Sequence, residues 1–260
     1  MAARTTSCVL QKGGTGKSST THALSAGLRA RGYKVLTIDA DPQCNISHTM
    51  QANTASNKGL FEVLNGEPII DIIQHTEQGD VLANSQRLVG ADKLFADINS
   101  EYLLSDSLSP VKESYDYILI DCPPQLGILT INALVAATDL VIPITADLYA
   151  LQGLALLMSN VDKVKLRANP GLRIDGILLT KYNNRSVLSR DLKEDLEAQA
   201  MAMKTQLYKT AIREGVAIRE AQAQRTSIFD YAPSSNPAKD YNNFIEEYLS
   251  GGELNDKEKL

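Results

Sequence analysis

Short apolar runs alternate along the chain with longer stretches in which apolar residues recur every three or four positions. Residues 6–10 (TSCVL), 34–39 (KVLTID), 115–121 (YDYILID), 140–145 (LVIPIT) and 173–180 (RIDGILLT) read as strands, with 206–209 as a short sixth. Helical spacing marks 18–31, 59–65, 124–137, 150–166, 186–203 and 240–249. Several of the strands are apolar almost throughout, as strands covered on both faces are. Strands alternating with helices predict an α/β fold, a mostly parallel twisted sheet with helices on both faces. Ligands of such folds sit at the carboxyl ends of the strands. The stretch 51–114 is the least regular and reads as helices plus one strand near 80–84. The expected organisation is a single domain over 1–250 followed by a polar, disordered tail over 251–260 (GGELNDKEKL).

Composition narrows the class. The 260 residues are 43% apolar and 22% charged, ordinary for a globular chain with a real core. Three cysteines, at 8, 44 and 122, show no CxxC or Cys/His spacing, so neither a disulfide framework nor a zinc site is expected. The N-terminus lacks a signal-peptide apolar stretch, and no run approaches membrane-spanning length, so a cytoplasmic protein is expected.

The strongest chemical signal is Gln11-Lys12-Gly13-Gly14-Thr15-Gly16-Lys17-Ser18-Ser19. It follows a strand and opens a helix, the context a phosphate loop requires. Glycines let the backbone wrap a phosphate closely, and the exposed N–H groups with the helix N-terminus present partial positive charge to it. Lys17 can reach the β- and γ-phosphates, and the Ser18 hydroxyl can ligate Mg²⁺. Gln11 stands where the common motif has its first glycine, and Lys12 adds a second lysine that cannot easily fold back onto its own loop's phosphate. Two carboxylates follow at the end of the second strand, Asp39 and Asp41; two apart on an extended segment they are expected to point the same way, placed for a metal or a water. The apolar run 117–120 ends in Asp121, which can deliver a carboxylate to a metal's hydration shell.

KGGTGKS resembles the deviant Walker A loop of the ParA/MinD family of dimerising ATPases. Residues 39–43 (DADPQ) resemble that family's switch I and 121–124 (DCPP) its switch II. The likeness continues through LVIPITADLYALQGL and GILLTKYNNR to about residue 185, while 51–114 adds little. The resemblance implies a P-loop NTPase fold, with ATP and Mg²⁺ as cofactors. It implies Lys12, Lys17 and Asp41 as catalytic residues, with Lys12 reaching a partner's nucleotide and Asp41 positioning the attacking water. Lys12, Gly13, Gly14, Thr15, Gly16, Lys17, Ser18 and Ser19 would bind nucleotide, and Ser18, Asp39 and Asp121 the metal. Asp147 occupies the place of a family acidic residue, with helix capping as the plainer reading. The family usually has glycine at the position of Cys44, whose thiol reads as inert and packed.

Charge is uneven. Between residues 160 and 225 there are 13 Lys and Arg against 8 Asp and Glu, whereas the whole chain carries a net −5. A basic quarter on an acidic protein is either a solvated face or a footprint for nucleic-acid backbone. Arg190, Lys193, Arg213 and Arg219 are the expected DNA contacts, with Arg185, Lys204 and Arg225 as further candidates. Residues 219–221 keep the Arg, Glu and Ala of a family motif similar to RxSEAP, while its Ser and Pro are lost. Interleaved aromatics for base stacking are lacking. No helix-turn-helix segment precedes the loop, so a short ParA type without sequence-specific repression is expected. The resemblance then implies a homodimer in the ATP state, non-specific double-stranded DNA, a centromere-binding ParB-like partner, no membrane, and a nucleoid-associated location. The alternative is a MinD-like switch with little hydrolysis acting on a protein or a membrane. The Tyr and Phe of the last helix, in the company of an acidic tail, are expected to pack on the domain instead.

Overall fold

The computed structural model describes residues 2–56, 58–147, 149–183 and 187–254, and their side chains apart from those of 187–189 and 252–254. Seven described strands form one sheet: β1 (Arg4–Cys8), β2 (Val35–Asp39), β3 (Gln74–Thr76), β4 (Gly79–Leu82), β5 (Tyr117–Asp121), β6 (Asp139–Thr145) and β7 (Arg173–Thr180), in the order β3-β4-β2-β5-β1-β6-β7. All pairs are parallel except β3 with β4. The helices are α1 (Lys17–Ala30), α2 (Asn45–Thr49), α3 (Leu60–Leu64), α4 (Ala91–Leu94), α5 (Leu103–Leu108), α6 (Ile128–Ala136), α7 (Ala150–Arg167), α8 (Val187–Ala202), α9 (Val216–Ala223), α10 (Ile228–Tyr231) and α11 (Asn236–Leu254).

The expected α/β architecture is the one observed. Strand alternation divides the core in two. Ile118 and Ile120 of β5 face the layer that holds α6, α7 and α8, while Leu119 faces the layer of α1 and α11. On the second face Tyr241, Phe244, Ile245 and Tyr248 of α11 are buried against Leu24, Leu28 and Val141. The aromatics of the last helix therefore pack inward, and no described helix is long and apolar enough to cross a membrane. The approach is close: a Cβ on Gly27 of α1 would lie 2.2 Å from Ile245 Cδ1.

Several boundaries differ from the sequence reading. The first strand ends at Cys8: Val9 N still donates to Val141 O at 3.2 Å, and the chain then turns, Lys12 N donating to Leu10 O at 2.8 Å. The helix expected from 124 starts at Ile128, after two prolines and an extended Gly127. The expected sixth strand at 206–209 is a single parallel bridge, Ile177 with Leu207, too short to add a strand. In its place an antiparallel edge strand, β3, joins β4; three residues, QHT, carry no apolar signal. The last helix runs from Asn236 to Leu254, well beyond 240–249 and into the expected tail. Residues 255–260 of that tail and the expected helix start at 186 lie outside the described residues.

The edge of the sheet opposite the strands' carboxyl ends is stapled by charge. Arg4 pairs with Asp139 at 3.1 Å and with Asp175, and its guanidinium lies 4.1 Å over the Tyr248 ring. This joins β1, β6, β7 and α11, and leaves the other edge free for function.

His22 of α1 is buried, and its Nε2 has no hydrogen-bond partner. Burial, reinforced by Arg29, holds its pKa down to about 4 against an ordinary 6.5. Between those values the unfolded chain takes up a proton that the folded chain refuses, so this contribution is complete above pH 6.5 and is lost as pH falls toward 4. Denaturant unfolding at pH 7 and pH 4.5 checks it: the wild type should lose about 2–3 kcal/mol more than His22→Gln over that interval.

Candidate functional site

The phosphate loop occupies the turn between β1 and α1. Gly14 and Gly16 sit at φ 74° and 84°, in the left-handed region that glycine enters without strain. Thr180, at the end of β7, braces the loop by donating to Thr15 O at 2.7 Å, and its side chain would lie 3.5 Å from a Cβ at Gly16. Sequence reasoning did not single out Thr180; the last polar residue of an apolar strand was the signal available. Above the loop lies a cavity of about 630 Å³, sized for a nucleotide, lined on the loop side by Gly13, Gly14, Gly16, Lys17, Ser18 and Ser19.

The two lysines are placed differently. Lys17 lines the cavity, is 6% exposed, and donates to Lys12 O at 2.8 Å. Burial lowers its pKa, opposed by Asp121, Cys122 and Asp41. Lys12 does not line the cavity. Its ammonium, about 29% exposed, is held by both carboxylate oxygens of Asp147. Asp147 also accepts from Thr145 Oγ1 at 2.5 Å and from Tyr149 N at 3.0 Å, so it ties together the turn before α7 and anchors Lys12 as well. Burial alone would raise its pKa, but these partners outweigh it and leave it below the usual range.

The carboxylates divide as well. Asp39 and Asp121 are register partners on adjacent strands, with Cys8 on the far side of Asp121. Asp39 is fully buried and both its oxygens are occupied: Oδ1 by Asp41 N at 3.1 Å, Oδ2 by Ser47 N at 2.8 Å and Ser47 Oγ at 2.7 Å. Burial raises its pKa to about 6 despite those bonds. The expectation that Asp39 and Asp41 point the same way does not hold, because extended geometry ends at Asp39. The chain then turns, Cys44 N donating to Asp41 O at 2.9 Å, and Asp41 lines the cavity while Asp39 faces α2. Cys44 sits at φ 57°, in the left-handed region that favours glycine. Its thiol donates to Pro42 O, and burial with Asp39 and Asp41 pushes its pKa up to about 11, away from thiolate chemistry.

Asp121 is the exception among these groups. Neither of its buried oxygens has a hydrogen-bond partner. Burial and the neighbouring Asp39 push its pKa well above the carboxylate range, while Ser18 and Lys17 pull the other way. A buried carboxylate beside a hydroxyl and an ammonium, without a donor of its own, fits a hydrated divalent cation. Among the described residues no group of three His, Cys, Asp or Glu side chains could hold a metal unaided, so such an ion would draw its other ligands from phosphate and water.

The expected DNA contacts are not one patch. Arg190 is exposed on α8, and Lys193 is half-buried, 3.7 Å from Glu197. Arg219 is exposed on α9, at the wall of the cavity. Arg213 is committed to Asp240 by Nε at 2.9 Å, by Nη2 at 2.6 Å, and by its backbone N–H at 3.0 Å. α8 packs in one core layer and α9 in the other, so the two groups lie on opposite faces of the sheet. Arg185 lies outside the described residues, and Arg225 contacts His48.

A family described as an AAA domain (AAA_31) matches residues 3–174. The sporulation initiation inhibitor protein Soj of Bacillus subtilis is 37% identical over 247 residues, 93% of this chain and 96% of its own length. The chromosome-partitioning ATPase Soj of Thermus thermophilus is 35% identical over 240 residues, covering 92% of this chain and 93% of its own. Among solved structures, a cobyrinic acid a,c-diamide synthase of Mycobacterium smegmatis with bound ATP analogue and magnesium superposes with a TM-score of 0.81 at 26% identity, covering 96% of each chain.

An unpartnered buried carboxylate costs folding stability that function recovers. Asp121→Asn should raise the melting temperature of the nucleotide-free protein, by an amount equivalent to about 1 kcal/mol or more, while hydrolysis is lost. A variant less stable than the wild type would contradict the unpartnered state of this side chain.

Proposed function

The chain belongs to the Soj and ParA family of ATPases, and on that premise we propose that it is a DNA-partition ATPase. Its ATP-bound form is a homodimer that holds double-stranded DNA without reading sequence, and a centromere-binding, ParB-like partner triggers hydrolysis and release. The observation that carries the reading is the split between the lysines. Lys17 faces its own cavity, whereas Lys12 is turned away from it onto Asp147 at the surface. An ammonium in that position serves a facing subunit's nucleotide better than its own.

The chemistry follows from charge. The loop amides from Gly13 to Ser19 and the Lys17 ammonium neutralise the β- and γ-phosphates of ATP. Ser18 and Asp121 would hold Mg²⁺, which supplies further positive charge against the phosphate oxygens. Asp39 contributes by bracing α2 through Ser47, which fixes the turn that carries Asp41. Asp41, at the cavity wall, orients the attacking water in line with the γ-phosphate. Lys12 of the neighbouring subunit adds the charge the transition state needs, so turnover is slow until the dimer forms. DNA contacts come from Arg219 and Arg190, with Lys193 after release from Glu197; Arg213 contributes least, because leaving Asp240 would strand a carboxylate that is 8% exposed. The MinD-like alternative has less to support it, since the apolar face of α11 is already buried.

Sedimentation with Mg²⁺ and a non-hydrolysable ATP analogue should show a dimer, and single copies at every concentration would overturn the reading. Lys12→Ala should bind nucleotide nearly as well as the wild type yet lose about 10³-fold in kcat, the scale of a cationic group supplied in trans. In DNA titrations at several salt concentrations, Arg219→Glu should weaken ATP-dependent binding equally for unrelated sequences and flatten the salt slope.

A further inference from the structure

α9 bridges two parts of the cavity wall that are far apart in the chain. At one end Gln222 donates from Nε2 to Ser19 Oγ, in the first turn of α1, at 3.0 Å. Just beyond the same, C-terminal end Arg225 contacts the His48 ring of α2 at 3.1–3.2 Å, and Gln51 Nε2 donates to Arg225 O at 2.9 Å. The helix closes on Arg225 itself, which takes φ 53° while its N–H and that of Thr226 return to Gln222 O and Ala221 O at 3.1 and 3.0 Å. That is a Schellman closure with arginine where glycine is usual. About one turn ahead of these tethers Ile218 and Arg219 line the cavity, as does Gln222 itself.

Ser19 belongs to the phosphate loop, and its hydroxyl has one proton and two lone pairs. With Gln222 occupying a lone pair, the proton is free to point at a bound phosphate oxygen. Donating it polarises the oxygen and strengthens the bond it accepts from Gln222. A filled site therefore pulls α9 harder onto α1, while an empty one holds it with a single neutral hydrogen bond.

We infer that α9 is a nucleotide-sensing strap, with Gln222 as the positioning residue that reports occupancy of the phosphate loop to the surface carrying Arg219. The inference deepens the partition reading and rests on it only for what Arg219 touches. Coupling of this kind is reciprocal: a ligand gripping the outer side of α9 raises nucleotide affinity by the same factor by which nucleotide raises its own.

Hydrogen exchange of residues 216–226 in the full chain, with and without Mg²⁺ and a non-hydrolysable ATP analogue, tests the strap directly. Nucleotide should slow exchange there about twofold in the wild type, the scale of strengthening a hydrogen bond already formed. Gln222→Met, which keeps the shape and removes the donor, should abolish that slowing at unchanged melting temperature and weaken nucleotide binding by a similar factor. Gln222→Glu keeps the length but accepts the Ser19 proton in competition with phosphate, so it should bind nucleotide more weakly than the Met variant. No slowing in the wild type, or equal slowing in Gln222→Met, overturns the inference. A separate arm measures DNA affinity with and without nucleotide. If the wild type shows no DNA binding while the exchange effect persists, the partition reading fails and the strap stands. If DNA binding depends on nucleotide equally in wild type and Gln222→Met, the strap fails and the partition reading stands.

Discussion

At the end of β5 the fold holds a carboxylate that nothing in the described protein satisfies. Asp121 is buried between β1 and β2, without a donor to either oxygen, within reach of the fields of Asp39, Lys17 and Ser18. Such a group costs stability in any protein. It persists here because strong partners surround it: the β5 ladder pairs on both sides, and residues 118–120 are fully buried on both faces. The rest of the site is arranged around that one unmet demand, with the ammonium and hydroxyl that complete it supplied by the helix that follows the phosphate loop.

The same edge of the sheet sorts similar side chains into different tasks. Asp39 and Asp121 are neighbours in register, yet Ser47 occupies one and leaves the other bare. Lys12 and Lys17 are five residues apart, yet one is drawn inward over the cavity and the other outward onto Asp147. In each pair the difference lies in which partner reaches the group first, and that partner comes from another element. Division of labour at this site is thus a matter of hydrogen-bond occupancy more than of residue type.

Coupling between the site and the surface has a physical route. α9 touches the phosphate loop through Gln222 and α2 through Arg225, and α2 is in turn held by Asp39. A change at the phosphates therefore reaches the outer face of the protein through hydrogen bonds between rigid elements, without requiring the sheet to deform. The opposite edge, locked by Arg4 with Asp139, Asp175 and Tyr248, supplies the fixed frame against which such a movement acts.

The chain's own pattern determined the alternation of strands and helices, the phosphate loop at 11–19, and the apolar strand that ends in Asp121, because each is written in consecutive residues whose spacing carries the signal. It did not reveal the edge strand at Gln74–Thr76, whose three residues have no apolar period. Nor did it show the commitment of Arg213 to Asp240, the occupancy of Asp39, or the bond from Gln222 to Ser19 across 203 positions. Those depend on which helix settles on which face of the sheet and at what height. A hydrogen bond between distant residues exists only once packing has brought its donor and acceptor within about 3 Å, and no local pattern of residues encodes that distance.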